Sequence, residues 1–552
     1  MIRRKKSEEA GPDDETGGVD EDTMDLDLTP DDEETSYDLI PYASHAFPQT
    51  HPDRLATMAR LFGLESAPVE DCRVLELGCA SGGNLIPMAA YLPESDFVGV
   101  DLSGKQIEAG KKTIEGAGLS NVQLHHNSIN DVDETWGEFD YILCHGVFSW
   151  VPQDVQEKIF SLCGNNLKPN GVAYISYNTY PGWHMRESIR DMMNYHVRQF
   201  QKPEVRIRQA RALLKFLSDA VPPRGNPHGM VLKRELDLLS RQADSYLFHE
   251  HLEADNQPMY FHEFVEQAFA YGLQYLGEAD LGSMLARGFS EQTRSTLERI
   301  SEDIIRKEQY MDYLRNRPFR QTLLVRDSLQ LNRNVNAEDM ALFRITISSL
   351  PRLQDMKFDP RTKLNVRTRY GGDFNVSRPI TKAALAVLHR SRPGALEFED
   401  LFQQSLQELP PRIRPDANQT AAARNNLLQD ILQCYTNGIL ALSTWSPQVA
   451  TTLPDKPVVN PLAAYQAGES DRVTVPRHNA VQLGPVARSL APVLDGSRDR
   501  QSLETYIKEQ IASGDLELRR GNQKVASDDD MKPLVDTALN NLLRMGLLVD
   551  KG

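Results

Sequence analysis

A glycine-rich turn between a buried strand and a helix restricts the fold of this chain more than any other feature. The turn is ELGCASGGN at residues 76–84; it follows the apolar run RVLEL and leads into NLIPMAAYL. Glycines here let the chain turn sharply and let a ligand contact the backbone at the carboxyl edge of a sheet. A strand, a glycine turn and a helix in this order predict the first unit of a parallel α/β sheet.

Strands and helices continue to alternate along residues 73–178, which predicts a doubly wound, Rossmann-like sheet. The strands are expected at 73–78, 97–101, 122–126, 140–145 and 171–178, with helices at 106–114 and 153–163 among them. Two later apolar runs, at 273–277 and 320–326, are expected to complete the sheet as its antiparallel edge. Residues 183–260 then form a helical insertion.

The last part of the chain contains a weak internal duplication. KAALAVLHRSRPGALEFEDLF (382–402) is echoed by ARSLAPVLDGSRDRQSLETYI (487–507), and each copy continues into a helix, a glycine and a short strand. This order predicts two winged-helix-like α+β modules, with ordinary three-helix packing as the alternative. The predicted organisation is a disordered acidic tail (1–35), an α/β domain (36–335) with its helical insertion and regulatory segment at about 183–300, module 1 (336–450) and module 2 (451–552).

Charge and cysteine content indicate the cellular compartment of the protein. The formal net charge is −17, and residues 1–36 hold 14 acidic residues against four basic ones. Five cysteines without C-x-x-C spacing indicate reduced, buried thiols rather than disulfides or a zinc site. The charged start is not followed by an apolar stretch, and no apolar run approaches the ~18 residues of a membrane helix. We therefore expect a soluble, cytoplasmic protein without membrane insertion.

The glycine turn differs from those that bind dinucleotides or nucleoside triphosphates. A dinucleotide-binding turn needs a second glycine where Cys79 stands, and a P-loop needs a Lys-Ser/Thr pair that does not follow these glycines. S-adenosylmethionine fits better, because it has no phosphate but carries a ribose diol, an amino-acid end and an adenine. Asp101 ends the second strand, 23 residues after Gly78, where its carboxylate can accept both ribose hydroxyls. Glu76 is placed to help hold the ammonium group.

The adenine end has its own candidates after the second and third strands. Leu102 and Ile129 are candidates for apolar walls, and Asn127 or Ser128 can hydrogen-bond the amino edge of the base. The alternative is that the turn only packs tightly and that Asp101 caps the next helix. The cofactor-binding set also contains Cys79, Ala80, Asn84, Gln106 and His145.

ELGCASGGN, VGVDLS and FDYILCHGVFSWVP resemble the class I S-adenosylmethionine-dependent methyltransferases. SYDLIPYASHAFPQTHPDRL, SYNTYPGWHMRESIRDMM and YLFHEHLEADNQPMYFHEF are similar to bacterial methyltransferases that carry a methyltransferase regulatory domain, a group that includes protein-lysine methyltransferases. The resemblance implies S-adenosyl-L-methionine as cofactor, S-adenosyl-L-homocysteine as product, helical middle segments and a winged-helix C-terminal part. It also implies that Tyr37 and Tyr42 close over the methionine end of the cofactor. The alternative for these tyrosines is a hydrophobic staple into the first helix.

Methyl transfer is an in-line displacement at a sulfonium methyl, so the protein mainly positions two partners and excludes water. Aromatic faces suit a site that passes a positive methyl group to an amine. The segments after the fourth and fifth strands supply the catalytic candidates His145, Trp150, Tyr177 and Trp183. His145 is a candidate proton acceptor for a lysine substrate, with packing beside the cofactor as the alternative. For Trp150 and Trp183, core packing is the alternative to a substrate channel.

The absence of certain motifs narrows the class of molecule that can accept the methyl group. The fourth strand ends in CHGV rather than the [N/D]-P-P-[Y/F] of base N-methylation, and no Pro-Cys dipeptide is present for cytosine C5 chemistry. The candidate recognition helices, 424–437 and 532–545, hold too few Lys and Arg for phosphate contacts. His249, His251 and His262 lack the spacing of a metal motif, so no metal is expected.

These observations predict a protein substrate methylated on lysine and no specific nucleic acid partner, and a homodimer is also considered. Two other functions stay open at this point. One is a small-molecule N- or O-methyltransferase. The other is a non-catalytic S-adenosylmethionine-binding regulatory protein that docks a partner through its C-terminal modules.

Overall fold

A seven-stranded sheet forms the centre of the first domain. The computed structural model describes residues 40, 44–349, 356–369, 371–520, 523–524, 526 and 530–550, so the predicted acidic tail lies outside the described residues. The strands are β1 (Arg73–Leu77), β2 (Asp96–Asp101), β3 (Val122–His126), β4 (Phe139–Cys144), β5 (Leu167–Asn178), β6 (Leu273–Glu278) and β7 (Phe319–Arg326). Their order is β3-β2-β1-β4-β5-β7-β6. The predicted doubly wound sheet is confirmed.

The strand directions identify the edge at which a ligand can bind. Strands β1 to β5 pair in parallel, whereas β7 runs antiparallel to both β5 and β6. The two late strands complete the sheet as expected, although the edge strand β6 itself runs in the direction of the first five. The strand order reverses between β1 and β4, and open α/β sheets bind ligands at the carboxyl ends beside such a reversal.

Helices cover both faces of the sheet. The first four are α1 (Pro52–Leu61), α2 (Leu85–Tyr91), α3 (Gly104–Gly116) and α4 (Gln153–Asn166). Because side chains alternate along a strand, Tyr141 and Leu143 of β4 join the core with α1 and α2, while Ile142 and Cys144 join the core with α4. All four are fully buried. Burial of each large apolar side chain contributes roughly 1.5–3 kcal/mol, which fixes the sheet between its two layers.

The segment between β5 and β6 is helical, as expected. It contains α5 (His184–Val197), α6 (Pro203–Ala220), α7 (Pro227–Leu239), α8 (Asp244–Leu247), a π-helical turn (Phe248–Leu252) and α9 (Phe261–Ala270). Helices α5 to α8 and the π-helical turn share a separate core that includes Ile189, Met193, Leu214 and Leu232, whereas α9 packs into the cores of the sheet. Three helices connect β6 to β7: α10 (Leu281–Met284), α11 (Glu291–Ile300) and α12 (Ile304–Arg315).

Module 1 contains a three-stranded sheet and three helices. Strand β8 (Arg344–Ile347) lies between β11 (Leu396–Glu397) and β12 (Leu440–Ser443). A hairpin made of β9 (Leu364–Arg367) and β10 (Asp373–Val376) precedes β11 in the chain. The helices are α13 (Pro379–Arg390), α14 (Phe398–Glu408) and α15 (Ala417–Thr436).

Module 2 has a similar order with an additional helix and an additional hairpin, and its sheet strands are reduced to single bridges. Val458 pairs with Asp495 and Val459 with Leu548, in the places of β8, β11 and β12. One hairpin is formed by β13 (Arg472–Val475) and β14 (Asn479–Gln482), and a smaller one by β15 (Arg519–Arg520) and β16 (Gln523–Lys524). The helices are α16 (Pro461–Glu469), α17 (Pro485–Leu490), α18 (Arg500–Ser513) and α19 (Lys532–Met545). The predicted C-terminal winged-helix region is confirmed, whereas the exact domain boundaries stay predictions.

Candidate active site

The turn after β1 has the backbone geometry that its glycines predict. Gly78 and Gly82 have φ of +72° and +71°, and Ala80 also lies in the left-handed region at +49°. A Cβ on Gly78 would stand 2.4 Å from Val147 Cγ2, and with its positive φ this position favours glycine. The Ala80 N–H donates to Asp101 Oδ2 at 2.7 Å, which holds the alanine in place. Left-handed non-glycine residues cost on the order of 1–3 kcal/mol and collect at functional sites.

Asp101, the last residue of β2, faces this turn. Its Oδ2 accepts the Ala80 N–H, and its Oδ1 accepts the N–H of Ser103 at 2.9 Å. The predicted Cys79 and Gln106 are both buried, and the Gln106 N–H donates to Ser103 Oγ at 3.2 Å. The Asp101 carboxylate therefore fastens the turn and the start of α3. Each carboxylate oxygen has a second lone pair, so these contacts are compatible with binding a ribose diol.

Glu76, on β1, is a carboxylate that is only 3 % exposed. Its Oε1 accepts a hydrogen bond from Asn84 Nδ2 at 2.7 Å, whereas Oε2 has no hydrogen-bond partner among the described residues. Burial raises the pKa of Glu76 to about 8. A buried carboxylate oxygen without a partner costs free energy, and an ammonium group would satisfy it. The site therefore fits the amino-acid end of S-adenosylmethionine.

Asn84 connects that carboxylate with two distant parts of the chain. Its Oδ1 accepts hydrogen bonds from Phe47 N at 2.9 Å, Thr50 Oγ1 at 3.1 Å and His478 Nε2 at 2.8 Å. Phe47 and Thr50 precede α1, and His478 belongs to module 2. The predicted set contains Asn84 but none of these three donors.

The segment at residues 44–51, here named the strap, crosses the glycine turn. Gly83 N donates to Ser44 Oγ at 2.8 Å, and the Phe47 ring lies with its centroid 4.1 Å from that of His145. Sequence reasoning missed the strap residues, although they stand inside the motif SHAFPQTHP. Tyr37 and Tyr42, which were predicted to close over the cofactor, lie outside the described residues.

The candidates for the adenine end lie at the carboxyl ends of β2 and β3. Leu102 is 58 % exposed. Asn127 N donates to Asp101 O at 3.1 Å, and Ser128 caps the short turn that begins at Ile129. An apolar wall beside a few polar groups is the usual composition of a ligand site. The structure thus places Asn127 beside the backbone of Asp101, and the adenine contacts of Leu102, Ser128 and Ile129 stay predictions.

His145 follows β4 on the side of the site that faces β5 and β7. Its Nδ1 lies 2.9 Å from the Tyr174 hydroxyl and 3.1 Å from Ser176 Oγ. The ring packs against Phe47. It also stands edge-on to Phe319, with 6.4 Å between the centroids of the His145 and Phe319 rings. Burial lowers the pKa of His145 to about 4. The imidazole is therefore neutral near pH 7, with its orientation fixed by two hydroxyl groups.

The other predicted catalytic residues pack against aromatic side chains, and two of them, Tyr177 and Trp183, are buried. Trp183 is 1 % exposed, meets Trp150 edge to face at 6.1 Å, and its Nε1 has no hydrogen-bond partner in the described part of the chain. Tyr177 stacks on Phe264 at 4.0 Å and belongs to the core on the sheet face opposite Tyr174. The structure therefore does not bring Tyr177 to the imidazole. Catalytic roles for these three aromatic residues stay predictions.

A cavity of about 720 Å³ adjoins Phe319. Its walls come from the end of β6, the start of β7, α10 and the hairpin β9–β10 of module 1. The lining includes Phe319, Glu278, Asp280, Arg317 and Asp373. Phe319 also contacts His145, so its ring lies between the imidazole and this cavity.

Among the described residues, no three His, Cys, Asp or Glu side chains are grouped so as to hold a metal ion. The three histidines of the insertion bond instead to protein oxygens: His249 to Ile40 O at 2.6 Å, His251 to Glu235 Oε1 at 2.9 Å and His262 to Gln309 Oε1 at 3.0 Å. Within the same described ranges, every helix is too short or too polar to cross a bilayer.

Three protein-family profiles match the chain. "Methyltransferase domain" matches residues 74–171, "Predicted methyltransferase regulatory domain" matches 243–326, and "PKMT, C-terminal winged helix domain" matches 455–547. The first covers β1 to the start of β5, the second runs from α8 through β7, and the third covers most of module 2.

Relatives match along most of the chain. An uncharacterized protein of Rickettsia prowazekii (strain Madrid E) is 36 % identical over 515 residues, which cover 92 % of this chain and 92 % of the relative. The solved structure of PKMT2 from Rickettsia typhi is 32 % identical, with a TM-score of 0.81, over 92 % of this chain and 100 % of PKMT2. The same protein in complex with AdoHcy (S-adenosylhomocysteine) is similar with a TM-score of 0.79, at the same identity and coverage.

Proposed function

Because this chain belongs to the class I S-adenosylmethionine-dependent methyltransferases that combine a methyltransferase regulatory domain with a C-terminal winged-helix domain, we propose that it methylates lysine side chains of protein substrates. The family uses S-adenosylmethionine as its cofactor. Two comparisons that carry the PKMT name support a protein acceptor, namely the winged-helix profile and the solved structure that matches 92 % of the chain.

The observation that carries the proposal is the position of His145 between the two halves of the site. On one side it contacts Phe47 of the strap, whose N–H bonds to Asn84 in the glycine turn. On the other side it contacts Phe319, which lines the cavity of about 720 Å³. We therefore propose that a substrate lysine approaches the imidazole from this cavity, past the Phe319 ring.

On the cofactor side, we assign the ammonium group to Glu76 and the ribose diol to Asp101. Leu102 and Ile129 would flank the adenine, with Asn127 or Ser128 at its amino edge. When bound, the cofactor supplies a methyl group made electrophilic by the sulfonium. The backbone of the turn, held by Asp101 at Ala80, keeps these contacts in a fixed geometry before the ligand binds.

On the acceptor side, we assign His145 to the proton of the lysine amine, which must be uncharged before it can attack. When Nδ1–H donates to the Tyr174 hydroxyl at 2.9 Å, the lone pair of the ring lies on Nε2. The lowered pKa of about 4 keeps this nitrogen unprotonated near pH 7, so that its lone pair is free to take the proton, and a base this weak gives the proton up again at once. Phe47 and Phe319 pack against the ring and exclude water from it.

We also propose a cytoplasmic location. All five cysteines are free and buried, as expected for a protein in a reducing compartment. A homodimer stays a prediction.

The proposal is tested by incubating the purified chain with S-adenosylmethionine that carries a tritiated methyl group and with a bacterial cell extract. After separation of protein, nucleic acid and small molecules, the label is expected in protein, and acid hydrolysis is expected to release it as methyllysine. His145→Ala should lower the rate about 100-fold, because general-base groups contribute on that order. Its affinity for AdoHcy should change less than about threefold, since the imidazole does not bond to Glu76 or Asp101.

Tyr174→Phe is the matched control, because it removes only one of the two hydroxyls that orient the imidazole. We expect an intermediate loss of about tenfold in rate. Label confined to small molecules would show instead a small-molecule methyltransferase, and label in nucleic acid would contradict the acceptor class. Full activity of His145→Ala would contradict the role of the imidazole.

A further inference from the structure

Module 2 packs directly against the helices that follow β1 and β2. Asn460 Nδ2 donates to Ala90 O at 3.2 Å, and the Tyr91 hydroxyl donates to Thr474 O at 2.9 Å. The Tyr465 ring fills the space over Gly116, where a Cβ would stand 2.2 Å from ring carbon Cε2. The position of this module is therefore fixed relative to the glycine turn.

The turn of the hairpin β13–β14 reaches farthest toward the site. His478 stands in this turn with φ of +60°, is 1 % exposed, and its N–H donates to Val475 O at 2.8 Å. A left-handed histidine in a tight turn costs free energy unless its side chain is held. Its Nε2 lies 2.8 Å from Asn84 Oδ1, which is the contact that holds it.

The His478 contact is one of three that orient the Asn84 amide. Oδ1 receives donors from Phe47, Thr50 and His478, so it must be the carbonyl oxygen, and His478 must carry its hydrogen on Nε2. The amide nitrogen then points at Glu76 Oε1 at 2.7 Å. A chain of two hydrogen bonds thus runs from module 2 to the carboxylate whose other oxygen has no partner among the described residues.

We propose that His478 is a positioning residue for the cofactor, and that module 2 sets cofactor affinity through the hydrogen bonds from His478 to Asn84 and from Asn84 to Glu76. Module 2 is then part of the cofactor site. By reciprocity, cofactor binding must tighten the docking of the hairpin β13–β14. The proposal concerns cofactor affinity alone, so it stands or falls independently of the lysine assignment.

Two substitutions at His478 separate the hydrogen bond from the shape of the turn. His478→Asn tolerates a positive φ, but its amide ends too early to reach Asn84. His478→Gln places an amide nitrogen near the position of Nε2. For His478→Asn we expect the Kd for AdoHcy, measured by titration calorimetry, and the KM for S-adenosylmethionine to rise about tenfold. The kcat at saturating cofactor should stay within about twofold, and His478→Gln should recover most of the affinity.

Tyr91→Phe is the control at the same interface. It removes the hydrogen bond to Thr474 without touching Asn84, so it should lower the melting temperature and leave the Kd for AdoHcy unchanged. An unchanged Kd in His478→Asn overturns the proposal. Equal weakening in His478→Gln, or in Tyr91→Phe, overturns it as well, because the effect would then come from docking in general.

Hydrogen exchange on the unaltered enzyme gives a readout that needs no variant. Saturating AdoHcy should slow amide exchange in the hairpin β13–β14 about fivefold or more, with little change in the hairpin β9–β10. Equal slowing of both hairpins, or of neither, contradicts the coupling. If the lysine assignment alone is wrong, AdoHcy affinity and this exchange pattern persist while no methyllysine forms.

Discussion

Modules 1 and 2 each place a β-hairpin beside a different half of the candidate site. The hairpin β13–β14 of module 2 buries its turn, and His478 meets Asn84 there through a hydrogen bond between uncharged groups. The hairpin β9–β10 of module 1 instead borders the cavity with Thr368, Gly372 and Asp373. Under the proposed function, the hairpin whose turn is buried acts on the cofactor side through His478, and the exposed hairpin acts on the acceptor side through Asp373.

The largest expected effect is the loss of stability when a buried charged residue beneath the acceptor side is replaced. Arg320 is fully buried and bonds to Glu278 Oε1 at 2.6 Å, Asp312 Oδ2 at 2.7 Å and Glu308 Oε2 at 3.1 Å. Arg320→Met removes the cation bonded to Glu308 and leaves Glu278 and Asp312 with Arg317 alone, and it should destabilise the protein by about 3–5 kcal/mol. Chemical denaturation measures this loss.

Arg320→Lys is the matched control, since it keeps the charge but not the forked geometry, and it should lose less. A loss below about 1 kcal/mol in Arg320→Met would mean that the acceptor side does not depend on its buried charges. No comparable loss is expected from Tyr91→Phe on the cofactor side, where only one partly buried hydrogen bond is removed.

The second-largest expected effect is the pH dependence of AdoHcy binding, which arises from Glu76. Its pKa of about 8 means that the carboxyl group is mostly protonated at pH 7 before the ligand binds. Pairing with an ammonium group favours the carboxylate, so AdoHcy binding at pH 7 should release about one proton, and affinity should rise with pH up to about 8. Calorimetry in buffers of different ionisation enthalpy measures the released proton.

Glu76→Gln should bind AdoHcy about tenfold or more weakly and release no proton. Proton release that persists in this variant would assign the titration to another group and remove Glu76 from the ammonium site.

The smallest expected effect is a change in the KM for a protein substrate when the exposed hairpin β9–β10 of module 1 is altered. Asp373 lines the cavity, and its carboxylate lies 3.9 Å from Arg367. Asp373→Asn should raise the KM for a lysine-bearing protein substrate about two- to fivefold at low salt, because rim charges mainly steer association. The difference should vanish at high salt, and the Kd for AdoHcy should not change. A changed Kd would contradict the proposal that the hairpin β9–β10 acts only on the acceptor side and the hairpin β13–β14 on the cofactor side.

The elements of the sheet could be predicted from the sequence because each one has a local signal. The apolar runs of β1 to β5 and the glycine turn at 78–84 are contiguous, and the carboxyl ends of parallel strands meet at one edge. The same reasoning placed Asp101 and His145 at that edge.

The remaining contacts depend on tertiary structure that has no local signal. His478 reaches Asn84 across a sequence separation of 394 residues, and a histidine in a turn does not indicate its partner. Tyr177 was chosen for its place near the end of β5, but alternation along the strand puts it on the face opposite Tyr174. The side that faces His145 could not be read without the register between β4 and β5, in which Cys144 pairs with Ile175.

The central claim, that the edge beside the glycine turn binds the cofactor through Asp101, is tested most directly by AdoHcy titration of the wild-type chain and Asp101→Asn. The account predicts one molecule bound per wild-type chain and an affinity about 100-fold lower in the folded variant, because the carboxylate both fastens Ala80 and accepts the ribose. Absence of any binding heat with the wild-type chain at several temperatures, or equal affinity in the variant, would contradict it.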